Sequence, residues 1–160
     1  MEVELKYLED FVLGEVEKVG EHLLTQEDII EYAKKWVPHF FHTDPEAANK
    51  SVFKGLTAAG THLIAITVLH LVTHQPSVSV IAALGWDEVR FLGPARPGDV
   101  LTLFRECLEI RPSTSKPDRG VVKNRLTLRN QQGQSLLSYI DTTLVAKRPS
   151  DLSEGSRVSH

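Results

Sequence analysis

The chain has 160 residues and a formal charge of −3, with 41% hydrophobic and 24% charged residues. That is ordinary globular composition at single-domain length, enough to bury a core without help from a disulfide or a metal. It argues against nucleic acid as the main partner, which needs a concentrated basic face, and the lone Cys107 rules out an internal disulfide and any multi-cysteine zinc or iron–sulfur site.

The N-terminal stretch MEVELKYLEDF is acidic and has no apolar core, so it does not read as a secretory signal. Val12–Leu24 reads as a strand. A helix follows from Gln26 to Trp36: Thr25 and Asp28 form a capping-box-like start, and Ile29, Ile30, Ala33 and Trp36 recur at helical spacing. Pro38 biases Val37 away from the helical region and ends it. Asp44 can cap a second, short helix with Pro45 at its first position.

Ala58–His74 predicts a third helix that is apolar nearly all the way round, with Leu63, Ile64, Ile66, Val68, Leu69, Leu71 and Val72. Such a helix belongs inside a protein. Its most apolar part, Leu63–Val72, is interrupted by Thr67 and His70 and is too short to span a bilayer. A soluble, cytoplasmic protein without a membrane partner is expected.

After Pro76 the period changes to two. Val89 and Phe91 alternate with Glu88 and Arg90, and Val100–Ile110 resumes as a strand after Pro94, Pro97 and Gly98. Val122, Asn124, Leu126 and Leu128 alternate with Lys123, Arg125, Thr127 and Arg129, a half-buried strand with a basic outer face. Asn130–Gly133 is a tight turn, and Leu136–Val145 returns with Leu136, Ile140 and Leu144 on one face. Short turns favour antiparallel pairing. The expected unit, residues 1–149, is an α+β fold: an antiparallel sheet curved around one long buried helix. The polar tail 150–160 reads as disordered.

Several segments carry a more specific resemblance. Phe41–Ala48 (FHTDPEAA) and Phe53–His62 (FKGLTAAGTH) resemble the MaoC-like dehydratases, the (R)-specific enoyl-CoA hydratase family, whose fold is the hotdog. Leu84–Phe91, Arg96–Asp99 (RPGD), Arg111–Ser113 and Pro117–Gly120 look like further signatures of an acyl-dehydratase branch. In that family an Asp and a His, five positions apart, activate the water that adds to an enoyl thioester. His42 matches the His. The Asp position is Val37, followed by the matching Pro38. A valine neither takes a proton nor accepts a hydrogen bond, and a positioned acid–base group is worth about 10²–10⁴-fold in rate. His39 is the nearest titratable substitute, although an exposed loop histidine is its plainer reading. Gly60 matches the glycine whose N–H faces the thioester carbonyl, and a helix N-terminus suits a developing enolate oxygen.

The other reactive side chains have plainer readings. His62, His70 and His74 share one broad helix face, but without a Glu in an HExxH arrangement or a third ligand the His70/His74 pair makes a poor zinc site. Lys116 and Arg119 belong to a charged hairpin loop, with CoA phosphates as the alternative. Cys107 reads as a small core residue. No metal and no cofactor is expected.

Three functions follow from the resemblance. The first is reversible hydration of a 2-enoyl-CoA, with His42 working the water and Gly60 the thioester oxygen. The second is a catalytically degenerate subunit that binds acyl-CoA or supports an active partner chain. The third is a thioesterase, the weakest, because no carboxylate lies between Ala58 and Gln75. The implied partners are an acyl-CoA thioester and a second hotdog chain, as a homodimer or a hetero-oligomer.

Overall fold

The computed structural model describes residues 3–149; the tail expected to be disordered lies outside them. A two-residue strand β1 (Leu5–Lys6) and a 3-10 turn at Leu8–Asp10 lead into β2 (Val16–Leu23). Four helices follow: α1 (Gln26–Trp36), α2 (Phe40–Thr43), α3 (Pro45–Asn49) and the long α4 (Gly60–Thr73). The chain then forms β3 (Ser77–Val78), β4 (Val80–Phe91), β5 (Val100–Pro112), β6 (Arg119–Arg129) and β7 (Ser135–Ala146). β1 and β3 pair in parallel, and the other strands make one antiparallel sheet in the order β2-β5-β6-β7-β4. Against it packs α4, which gives the α+β hotdog arrangement. No helix among the described residues is long and apolar enough to cross a membrane.

Local signals explain most boundaries. Thr25 Oγ1 accepts the Asp28 N–H at 3.2 Å and starts α1, whose Ile29 and Ala33 are buried. Asp44 Oδ1 accepts the Glu46 and Ala47 N–H groups and starts α3 at Pro45. The turn between β6 and β7 is closed by Gly133 N–H donating to Asn130 O at 3.0 Å.

Three expectations change. The first long strand begins at Val16 rather than Val12, because a turn at Leu13–Gly14, with Gly14 at φ +81°, interrupts the chain before it. α2 has no counterpart in the sequence reading; its N-cap, His39, makes no side-chain cap bond that could have announced it. On β7 the buried residues are Leu136, Leu137, Tyr139, Thr143 and Val145, whereas Ile140 and Leu144, expected to share the core face with Leu136, are only half-buried. Both alternating sets are apolar there, so the period alone cannot choose between them.

α4 is the axis of the core. Leu63 and Ile66 pack into a cluster with Leu103, Leu126, Leu128 and Leu137 of the sheet, while Leu69 and Val72 remain 48% and 66% exposed in the single chain. A second apolar cluster, Leu8, Phe11, Cys107, Val122 and Val145, fills the other end of the sheet.

Candidate active site

The loop between α3 and α4 carries the chain back past α2, and both meet the turn that follows β4. There they enclose a cleft of about 480 Å³. Its walls are Val37 at the end of α1, Phe41 and His42 of α2, Phe53, the run Thr57–Thr61, and the Phe91–Pro94 segment. Val37, His42 and Gly60, three positions singled out in the sequence, thus line one space.

His42 is oriented by backbone. Its Nδ1 lies 2.6 Å from the Thr57 carbonyl. A carbonyl only accepts, so Nδ1 carries the hydrogen, and in the neutral ring Nε2 holds the free lone pair. The imidazole also meets the Phe41 ring edge-on, with centroids 4.6 Å apart. Thr57 is held in turn: its N–H donates to Phe41 O at 3.1 Å, and the next N–H, of Ala58, donates to Ala95 O at 3.0 Å.

Arg96 braces the same stretch. Its guanidinium donates to the Phe53 carbonyl and, at 3.3 Å, to the Leu56 carbonyl. Its own N–H donates to Asp99 Oδ2 at 2.8 Å, and Gly98, with φ +87°, supplies the left-handed turn between them. The RPGD segment is therefore a buttress for the residues that hold His42. The sequence motif marked the segment without revealing this task.

Gly60 opens α4. The N-cap, Ala59, has no side chain able to cap, and among the described residues the Gly60 and Thr61 N–H groups find no acceptor. They add to the partial positive charge of the helix end, beside the cleft. A Cβ at position 60 would stand 2.5–2.9 Å from three atoms of the Phe91 ring, so glycine is what lets this ring close the wall.

Among the described residues His42 is the only titratable side chain lining the cleft. Val37 brings a half-buried apolar surface to the expected carboxylate position. His39 does not line the cleft; it is exposed, stands at the N-cap position of α2 without a capping bond, and stacks on Phe41 at 3.8 Å between centroids. Its ring centroid lies 6.5 Å from that of His42, edge to face, with no hydrogen bond between the two among the described residues.

The remaining candidates point elsewhere. His62 is buried and stacked on Tyr32 at 4.4 Å, and burial lowers its pKa. His74 Nε2 lies 3.1 Å from Glu17, and His70 packs edge-on to His22. No group of three or more His, Cys, Asp or Glu suited to a metal occurs among the described residues. Arg119 grips Asp118 through two bonds of 2.8 and 3.1 Å, and neither it nor Lys116 lines the cleft. Burial pushes the Cys107 thiol up, away from thiolate chemistry.

Comparison with known proteins agrees with this architecture. A MaoC-like dehydratase from Rhodospirillum rubrum superposes with a TM-score of 0.83 at 34% identity, covering 90% of this chain and 99% of that one. An uncharacterized Bacillus subtilis protein, YdeM, is 28% identical over 126 residues, 78% of this chain and 88% of its own length. Mesaconyl-CoA hydratase of Cereibacter sphaeroides is 36% identical over 72 residues, but the match spans only 21% of that longer protein and 45% of this chain. The family model described as MaoC like domain matches residues 13–130, and a match over that much of the sequence means that the chain belongs to the MaoC-like domain family.

Proposed function

We propose that the chain hydrates a 2-enoyl-CoA thioester, or dehydrates the corresponding 3-hydroxyacyl thioester, in the cleft at the start of α4. The observation that carries this reading is the pairing of a backbone-oriented histidine with unclaimed N–H groups across one cleft. His42 Nε2 takes a proton from water and the hydroxyl adds to C3. The electron pair moves to the thioester oxygen, which the Gly60 N–H stabilises as it gains charge. The imidazolium, steadied by its Nδ1–H bond to Thr57, then returns the proton to C2. H and OH have been added and His42 is neutral again. With one group handling both proton transfers, addition to a single face of the double bond is expected.

Val37 favours a second reading, in which this chain shapes an acyl-CoA pocket and a related chain supplies the acid–base pair. Hydration of crotonyl-CoA, followed by loss of the enoyl-thioester absorbance, decides between them. The first reading expects turnover by the purified chain and its loss in His42→Ala; turnover that needs an added hotdog chain would establish the second.

We further propose that two copies associate through β4. This strand is at a sheet edge and leaves Val80, Leu84, Trp86 and Phe91 exposed, with the exposed Val72 of α4 beside Val80 and Trp86. An unpaired apolar edge of this length invites pairing. Because Phe91 also lines the cleft, a second copy would bring a new wall close to it. Light scattering at micromolar concentration is expected to give twice the chain mass; a monomer would contradict it.

A further inference from the structure

Between its two apolar clusters the concave face of the sheet turns polar. Arg105 of β5, Asn124 of β6, and Tyr139 and Asp141 of β7 line a cavity of about 310 Å³. Strand pairing assembles them: Leu126 stands between Arg105 and Tyr139, and Asn124 lies opposite Asp141. The opposite wall is aliphatic, with Val68, Leu71 and Val72 from the C-terminal half of α4. Among the described residues none lines both this cavity and the His42 cleft.

Some of these polar groups are satisfied from within. Arg105 Nη2 donates to Glu17 Oε2 at 2.7 Å. Asp141 accepts from Trp86 Nε1 at 3.1 Å and from Thr143 Oγ1 at 2.7 Å. Two groups are left over. Among the described residues Asn124 Oδ1 and the Tyr139 hydroxyl find no partner, although the two residues are only 5% and 0% exposed. A buried polar atom without a partner carries the cost of its lost hydration, and native interiors hold few of them. Two such atoms beside one roomy cavity call for a guest that completes them.

The lining selects among guests. Arg105 shares the Glu17 carboxylate with Lys6 and His74, and a second acid, Asp141, whose pKa burial raises, stands in the cavity wall. An anionic head only accepts and would leave the Asn124 Oδ1 acceptor open. A ketone only accepts; it would use the Tyr139 O–H and leave Asn124 Oδ1 open. A hydroxyl has both a hydrogen to donate to Asn124 Oδ1 and lone pairs to accept the Tyr139 O–H.

We propose that this cavity binds an aliphatic chain that ends in a hydroxyl group. The chain has two possible sources: the distal end of the acyl group on a CoA thioester, or a free hydroxy fatty acid. The first rests on the function proposed above. From Gly60 to Val68 is eight residues, about 12 Å along the helix, so only an acyl group of medium length or longer reaches from the thioester to the cavity.

The test is calorimetric titration of the full chain with octanoyl-, decanoyl- and dodecanoyl-CoA, their ω-hydroxy counterparts, and the free acids of both series. At least one ω-hydroxy compound is expected to bind about tenfold more tightly than its plain partner, the worth of one net hydrogen bond. Tyr139→Phe and Asn124→Leu, checked for folding by thermal melt, are each expected to erase that preference and leave plain-chain affinity in place. The comparison on the unmodified chain stands even where a variant does not fold. A preference confined to thioesters identifies the distal acyl end; one shared by the free acids identifies a site of its own. Preference among free acids with no thioester binding would overturn the acyl-CoA reading and leave this one standing. Equal affinity for plain and hydroxylated chains in both series would overturn it, water alone then serving Asn124 and Tyr139.

Discussion

The two ends of α4 are furnished in opposite ways. At the N-terminal end one titratable side chain, His42, stands among apolar walls and unclaimed backbone N–H groups. Near the C-terminal end charges are gathered on one another: Glu17 receives Lys6 at 3.2 Å, His74 at 3.1 Å and Arg105 at 2.7 Å. Unspent hydrogen-bonding capacity at one end is available to a substrate. At the other end most of it is consumed in holding β2, β5 and the end of α4 together. A change at the first end should therefore alter rate with little effect on folding, and a change at the second should do the reverse.

The largest expected effect is at His42. His42→Ala should lower hydration of a short enoyl-CoA by about 10²–10⁴-fold. Its melting temperature should stay near that of the parent, because the half-buried ring makes one side-chain hydrogen bond, to Thr57 O. A large fall in stability would break the contrast between the two ends.

Gly60→Ala should come next. The added Cβ cannot coexist with the Phe91 ring as placed. The ring must swing, and the methyl intrudes where the thioester oxygen is expected. A loss of about 10²-fold in kcat/KM is expected, comparable with removal of one oxyanion donor. A companion Phe91→Ala substitution should restore part of it by making room, which a simple folding defect would not allow.

At the other end the prediction concerns pH. Burial alone would raise the Glu17 pKa, but the bonds from Arg105, Lys6 and His74 outweigh it and hold it at about 2, against an ordinary 4.5. A carboxylate with a depressed native pKa stabilises the fold above its unfolded pKa, and this contribution is lost as pH falls through the native value. Stability should therefore decline between about pH 4.5 and pH 2. Glu17→Gln should flatten that decline and cost about 2 kcal/mol at neutral pH, since it leaves Arg105 without its charge partner. Chemical denaturation at a series of pH values measures both.

The same contrast explains what could be read in the sequence. Features written in consecutive residues were legible: the Thr25 cap and apolar stripe of α1, the all-round apolar α4, and the alternation of β6. His42 and Gly60 were legible too, because each lies in a compact motif near one helix end. Features made by distant residues were not. Glu17 and Arg105 are 88 positions apart, and only the β2–β5 pairing brings them together. Arg105, Asn124 and Asp141 come from three strands, each an isolated polar residue in an apolar alternation. The role of Arg96 was hidden for a related reason, since its partners are carbonyls at Phe53 and Leu56 that carry no side-chain signature.

The position that tests the catalytic account most directly is Val37, where the cleft offers valine instead of a carboxylate. The measurement is crotonyl-CoA hydration by the parent, Val37→Asp, and Val37→Asp combined with His42→Ala, each first checked for folding by thermal melt. A positioned carboxylate should raise the rate of Val37→Asp at least about tenfold, and removal of His42 should abolish that gain because the two groups share one water. A well-folded Val37→Asp protein that binds CoA thioesters but shows no gain, or a gain that survives the loss of His42, would contradict the account.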